Sequence, residues 1–296
     1  PGSRAEVFNR FPQRPRDFLS YRELKLWALA RSGDWGANVP VSFFVKVGED
    51  ADNFYLYRTR LEPVTDPQMV RQEDWLPEIA IDFDVWIALR LQAEERLIFE
   101  PRAPTDPPLE IWARDSTYAI VLKDRARAPN LAAVRELSMG VWNEEGFPTT
   151  GEVWINEMRL SAPFRDAGLA SYLALDLEAS DVWTTRVAVS SRGALFRQLT
   201  ENPTYQGDRV INVGSTFNLD RLVPVNWGVE IPVTVTHVST SQDPRFLGGS
   251  DIRVDNLRNL REPSSRRTRI DVAFRNRTPA ANPVLGLLLD GLEARA

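Results

Sequence analysis

Several long runs in the second half of this chain alternate strictly between apolar residues and polar or small ones. A period of two is the signature of a β-strand, whose successive side chains point to opposite faces. Leu169, Ser171, Leu173, Leu175, Leu177 and Ala179 alternate with Ala170, Tyr172, Ala174, Asp176 and Glu178. Trp183, Thr185, Val187 and Val189 alternate with Thr184, Arg186, Ala188, Ser190 and Arg192. Ile211, Val213, Ser215, Phe217 and Leu219 alternate with Asn212, Gly214, Thr216, Asn218 and Asp220. The run Trp227 to Thr236 and the run Ile270 to Arg275 do the same. Such runs, about ten residues long, suit the wall of an outer-membrane barrel, where one face meets lipid and the other a wet lumen. A soluble sandwich produces the same alternation, so periodicity by itself leaves both open. Trp183 and Trp227, near strand ends, fit interfacial aromatic belts.

The first half has a different texture, with shorter strands and more turns. Tyr21 to Ala30 is the first strong strand, with Leu24, Leu26, Ala28 and Ala30 on one face. Gly33 to Gly36 reads as a turn, Val39 to Val47 and Phe54 to Thr59 as a hairpin, and Gly48 to Asn53 as its polar tip. Leu109–Trp112, Tyr118–Leu122, Arg135–Trp142 and Gly151–Leu160 read as further strands. Between them, β-branched and aromatic residues argue for strand and Ala88 to Arg96 for helix; we expect a helix over roughly Val85 to Ala93. The fold class is therefore all-β. An antiparallel, jelly-roll-like sandwich is expected over 1–162, and consecutive antiparallel strands of a large barrel wall, about five of them, over 163–296. In the last sandwich strand, Val153, Ile155 and Glu157 should share one face, with Trp154, Asn156 and Met158 on the other and Trp154 largely buried. Trp27, Trp112, Trp142 and Trp154 could form a sugar-stacking platform, but core packing is the commoner role of strand tryptophans.

Composition narrows the chemistry. With 43% hydrophobic residues among 296, a core can form. A net charge of -5 with scattered basic residues gives no reason to expect nucleic acid as a partner. The chain holds no cysteine and one histidine, His237, so thiolate chemistry and two-histidine metal sites are excluded within it. His237 lies in a strand-like run with no nucleophile elbow nearby. The acidic tip Gly48 to Asn53 has hard oxygen donors for calcium but lacks EF-hand spacing, so a solvated hairpin tip is expected. Glu144-Glu145 and the pair Glu152 and Glu157 do not support a glycosidase centre. No catalytic residue, cofactor or metal is expected, and the chain is read as a non-enzyme. The opening Pro1-Gly2-Ser3-Arg4 is unlike a signal peptide, so a cut chain or a removed leader is expected. The longest aliphatic run, Val284 to Leu289, is too short for a membrane-spanning helix, which a barrel does not need.

Several segments, taken in order, resemble the SprA/Sov family, the giant outer-membrane translocon of type IX secretion. Asp17 to Trp27 resembles one of its strands, and Phe43 to Asp50 with Asn53 to Tyr57 one of its hairpins. The most specific stretch is Met139-Gly-Val-Trp-Asn143 followed by Gly151-Glu-Val-Trp-Ile-Asn-Glu-Met-Arg-Leu160. It brings the motif residues Gly151, Glu152, Trp154, Asn156 and Glu157. Phe217 to Pro224 and Trp227 to Pro232 resemble a later strand pair. Trp142 stands where the family usually has Arg, and Gln242-Asp-Pro-Arg-Phe246 is a reduced form of a longer family run, which suggests a distant member. The resemblance implies a fragment of a Gram-negative outer-membrane channel that exports folded cargo to the cell surface and serves gliding motility. Its partners would be secreted cargo proteins, a lateral-gate barrel protein, a periplasmic plug protein and outer-membrane lipid. In that setting Leu173, Leu175, Val187, Val189, Val229, Ile231 and Val233 should face lipid, and Asp176, Arg186, Asn212 and Glu230 the lumen. The competing reading is a soluble carbohydrate-binding or adhesive sandwich of the cell envelope. A closed core after Leu169 would favour the sandwich, and one exposed apolar band the wall.

Overall fold

The computed structural model describes residues 2–33, 41–103, 105–113, 115–144, 148–164, 167–198, 204–222, 229–248, 250–254, 263–276 and 293–295. The chain is 56% strand and 13% helix, and its sheets are antiparallel. It divides into two compact units, Pro1–Arg165 with Phe246–Asn256, and Asp166–Arg245 with Leu257–Ala296.

The first unit contains β1 (Arg4–Arg10), β2 (Tyr21–Gly33), β3 (Val41–Gly48), β4 (Asn53–Arg60), β5 (Ile79–Asp82), α1 (Phe83–Phe99), β6 (Leu109–Trp112), β7 (Tyr118–Leu122), β8 (Glu136–Asn143) and β9 (Gly151–Pro163). Six strands form one sheet in the order β1-β8-β3-β4-β7-β6, and three form another in the order β5-β2-β9. Strand β3 is buried along its whole length, which is why its Val and Phe residues are apolar on both faces rather than alternating. One of its faces carries the cluster of Phe44, Phe54, Leu56, Ala119 and Val121, against which Trp112 and Trp142 pack half-buried. On the other side Tyr55 stacks on Trp86 of α1 with ring centroids 5.4 Å apart. The Trp86 indole N–H donates to the Leu56 carbonyl at 3.0 Å, so this buried tryptophan leaves no polar atom unpaired.

Helix α1 is longer than the Val85 to Ala93 span expected from sequence. Asp82 caps it by accepting from the Asp84 amide at 2.8 Å, and its buried residues Phe83, Trp86, Ile87, Leu89 and Ala93 face the core. Strand β1 has no counterpart in the sequence reading. All seven of its residues are exposed, so it carries no inward apolar face to detect. It is held by backbone pairing to β8, where a Cβ on Gly140 would lie 2.1 Å from the Ala5 carbonyl.

The second unit is one curled antiparallel sheet. It comprises β10 (Ala170–Ala179), β11 (Trp183–Arg192), β12 (Gln206–Asn218), β13 (Val229–Glu230), β14 (Pro232–Pro244), β15 (Ser264–Asn276) and β16 (Glu293–Arg295). Consecutive strands pair with their neighbours from β10 to β12, then β14 and β15. Val229 faces Asn276 and Val233 faces Val272, so β13 and β14 run along β15 in one uninterrupted register across Ile231. Every buried apolar side chain among the described residues belongs to the first unit. The described residues that are buried in the second unit are Thr185 and Gly207 alone. Among its described residues the second unit is therefore a sheet without a hydrophobic core.

Candidate functional site

Two features of the fold stand apart from core packing: an aromatic cleft on the first unit and the open apolar face of the second.

The cleft is built on the motif strand β9, which pairs with β2 and forms one edge of its sheet among the described residues. Inner positions of β2, Leu24, Leu26, Ala28 and Ala30, are buried, whereas β9 is mostly exposed. Trp154 is 38% exposed, contrary to the burial expected of it. Its cross-strand partner Leu29 is buried, but β9 is the edge strand of this sheet among the described residues, and the layer that covers Leu29 does not extend over Trp154. Its indole N–H donates to Glu152 at 2.7 Å, and the Arg31 guanidinium sits 4.6 Å above its ring while also pairing with Glu152 at 2.8 Å. The Trp154 hydrogen bond first, and Arg31 second, hold the Glu152 carboxyl below the usual carboxylate range.

Strict alternation along β9 fails at Glu157. The register shifts between Lys25 and Trp27 on β2, so that Glu157 and Met158 together span the position of one residue, a β-bulge. Glu157 takes a left-handed conformation with φ 49°, which a non-glycine residue adopts at a cost. Beside the bulge a cleft of about 730 Å³ is lined by Trp27, Gln72, Glu73, Trp75, Leu76, Asn156 and Glu157. The Trp75 ring lies 6.4 Å from that of Trp154. Sequence reading placed Trp75 in a turn and did not join it to Trp27 or Asn156, because about 80 residues separate Trp75 from Asn156; the β2–β9 pairing sets Trp27 opposite Asn156, and Trp75 reaches that strand pair beside Trp154.

The other acidic sites are structural. In the hairpin tip Asp50 Oδ1 accepts from the Asp52 and Asn53 amides at 2.8 and 3.0 Å, and Oδ2 pairs with Arg127 at 2.6 Å. Glu144 binds Ser42 and Arg58, while Glu145 lies outside the described residues.

On the second unit, cross-strand pairing sorts the side chains into two faces. Leu173 faces Val189 and Leu175 faces Val187; these continue to Ile211 and Val213 on β12. Phe217 faces Val233 and Ser215 faces Val235, which continue to Val272 and Ile270 on β15. Val229, Ile231 and Val233 lie on that same face. Leu173 and Leu175 are 64% and 48% exposed, and the remaining expected lipid-facing residues are half-buried. Hydroxyls on this face pair with one another: Thr185 with Ser215 at 2.7 Å, and Thr268 with the His237 ring at 2.8 Å. His237 is thus a strand-face residue. Trp183 stacks on Phe217 at 6.2 Å; Trp227 lies outside the described residues. The opposite face carries the Asp176–Arg186 pair, Asn212, Thr216 with Thr234, Glu230, and the Arg269–Asp271 pair.

The chain matches the family model for motility related/secretion protein, SprA_N, over residues 11–253. It belongs to the SprA_N family. The match spans both units and includes the motif strand β9 and the strands from β10 to β14. SprA_N membership makes this chain a motility- and secretion-related protein and bears out the SprA/Sov resemblance read from Gly151 to Leu160. No curated protein matches the chain.

Proposed function

We propose that this SprA_N chain is a non-catalytic part of an outer-membrane channel through which folded proteins leave the periplasm, and that β10 to β15 are consecutive strands of its wall. The observation that carries this reading is that the second sheet buries no apolar side chain among its described residues. An apolar face that no protein layer covers is unstable in water, and strands without a covering layer persist in lipid only when every backbone group is paired to a neighbour. The β10-to-β15 ladder provides that pairing.

The placement of the apolar band supports the same reading. Following the pairs across the sheet, Leu175 at the centre of the β10 band leads through Val187, Val213 and His237 to Thr268. On β15, however, the band of Ile270, Val272 and Phe274 is centred on Val272, four residues further along. A level belt crossing strands tilted by roughly 35–45° and spaced about 4.8 Å apart should move about one residue per strand, or roughly four to five over this distance.

The polar face then lines a wet lumen, which suits transit of folded cargo. The cargo, a lateral-gate barrel protein and a plug protein are the partners that go with this reading. Since the chain has no cysteine, the test is single cysteines at Leu175, Ile231, Asp176 and Thr234 in the full-length protein in membranes, probed with a water-soluble thiol reagent. Asp176→Cys and Thr234→Cys should label, and Leu175→Cys and Ile231→Cys should be protected. Equal labelling of both faces, or protection of the polar face alone, ends the wall reading.

A further inference from the structure

We infer that the cleft beside the β9 bulge is a binding site for a neutral oligosaccharide. All its lining residues belong to the first unit, and the inference does not depend on the wall reading. Its lining combines two indoles, Trp27 and Trp75, with two primary amides, Gln72 and Asn156, and two carboxylates, Glu73 and Glu157. That is the chemistry a pyranose needs. Aromatic rings pack against the apolar C–H face of a sugar, while amides and carboxylates take its equatorial hydroxyls as donors and acceptors. At about 730 Å³ the cleft falls within the usual range for small-ligand sites, roughly 300–1,000 Å³.

The two lining amides, Gln72 and Asn156, are exposed to solvent. Among the described residues, neither the Gln72 nor the Asn156 amide has a hydrogen bond, although each can make several. Trp154, next to the cleft, is fixed by Glu152 and Arg31 on one side and Trp75 on the other, so the aromatic floor is pre-organised. The left-handed backbone at Glu157 turns the strand at the cleft rim.

Charge selects the class of sugar. Among the described residues the cleft lining holds no Lys or Arg, and the nearby cations are already paired, Arg71 with Glu73 and Arg159 with Glu78 and Glu157, so an acidic sugar or phosphate has no partner there. An extended peptide adding to the β9 edge is the competing occupant. The bulge at Glu157 and the charged pairs Arg31–Glu152 and Arg159–Glu78 along that edge are devices that oppose strand addition.

The test is ligand-observed saturation-transfer NMR and calorimetry on the full-length protein in detergent, with cellotriose and triacetylchitotriose as neutral probes and trigalacturonate as the acidic one. At least one neutral trisaccharide should bind and the acidic one should not. Trp75→Ala should weaken binding at least tenfold. Asn156→Ala, an exposed change with no internal hydrogen bond to lose, should weaken it severalfold with an unchanged near-ultraviolet dichroism spectrum. Trp112→Ala, on the other sheet, should leave it unaltered. The inference fails if neither neutral probe binds, if Asn156→Ala and Trp75→Ala bind as the parent does, or if a basic extended peptide occupies the cleft in place of sugar.

Discussion

At the residue scale, Asp251 shows how one buried group ties down a segment that the sequence places far away. Residues 246–256 belong to the first unit, and Asp251 there is wholly buried. Its Oδ2 accepts from the Tyr55 hydroxyl at 2.8 Å and from the Leu131 amide at 3.0 Å. Oδ1 has no hydrogen-bond partner among the described residues. Burial pushes the carboxyl above its ordinary value, outweighing the opposing hydrogen bonds and the Arg90 charge. Asp251→Ala leaves the buried Leu131 amide unsatisfied and the Tyr55 hydroxyl with only the Pro129 carbonyl at 3.4 Å, and should cost about 1–3 kcal/mol in denaturant unfolding, read from tryptophan fluorescence because Trp86 stacks on Tyr55. The pH dependence has a definite sign. A raised folded-state value means that the folded form holds the proton more tightly, so the contribution is fully present below about pH 3.9, the unfolded value. It is lost as pH rises through the raised folded value. Asp251→Asn should remove that slope, and an unchanged slope would assign it to another group.

At the scale of elements, β9 shows where pattern reading stops. The motif strand was expected from its alternation and is present, paired antiparallel to β2. Its period breaks at Glu157, and no apolar residue announces the break. Glycine is the residue that tolerates φ 49° without penalty. Glu157→Gly should therefore be neutral or stabilising by up to about 1 kcal/mol, whereas Glu157→Val, β-branched in a left-handed position, should destabilise by roughly 1–3 kcal/mol in the same unfolding assay. If the two variants unfold alike, the bulge is not strained. Gly140 makes the complementary case on β8. Gly140→Val would drive a side chain into the Ala5 carbonyl and should detach β1, detected as faster amide exchange over Arg4–Arg10.

At the scale of the whole molecule, the two units differ in what their described residues bury. The first buries Trp86, Phe43, Phe44, Leu26 and Ile120 in a core of its own, and the second buries no described apolar side chain. Leu175→Arg or Ile231→Arg should then cost about 2–4 kcal/mol of insertion if the site lies near the bilayer midplane, and Thr234→Arg much less, since its face is polar. The measure is the fraction of full-length protein assembled in the outer membrane. Equal loss for all three would remove the distinction between the faces. The sequence by itself determined the all-β class, the change of texture near Pro163, the strand runs and the side-chain faces of the second sheet, because period-two alternation is a local property of the chain. It also carried the family, through Gly151 to Leu160. Only the tertiary structure decided that Trp154 is exposed, that Trp75 meets the β2–β9 pair, that Asp251 returns to the first unit, and that the described residues of the second sheet form no core. Each of these depends on contacts between residues far apart in the chain, and burial is a property of those contacts rather than of the residue.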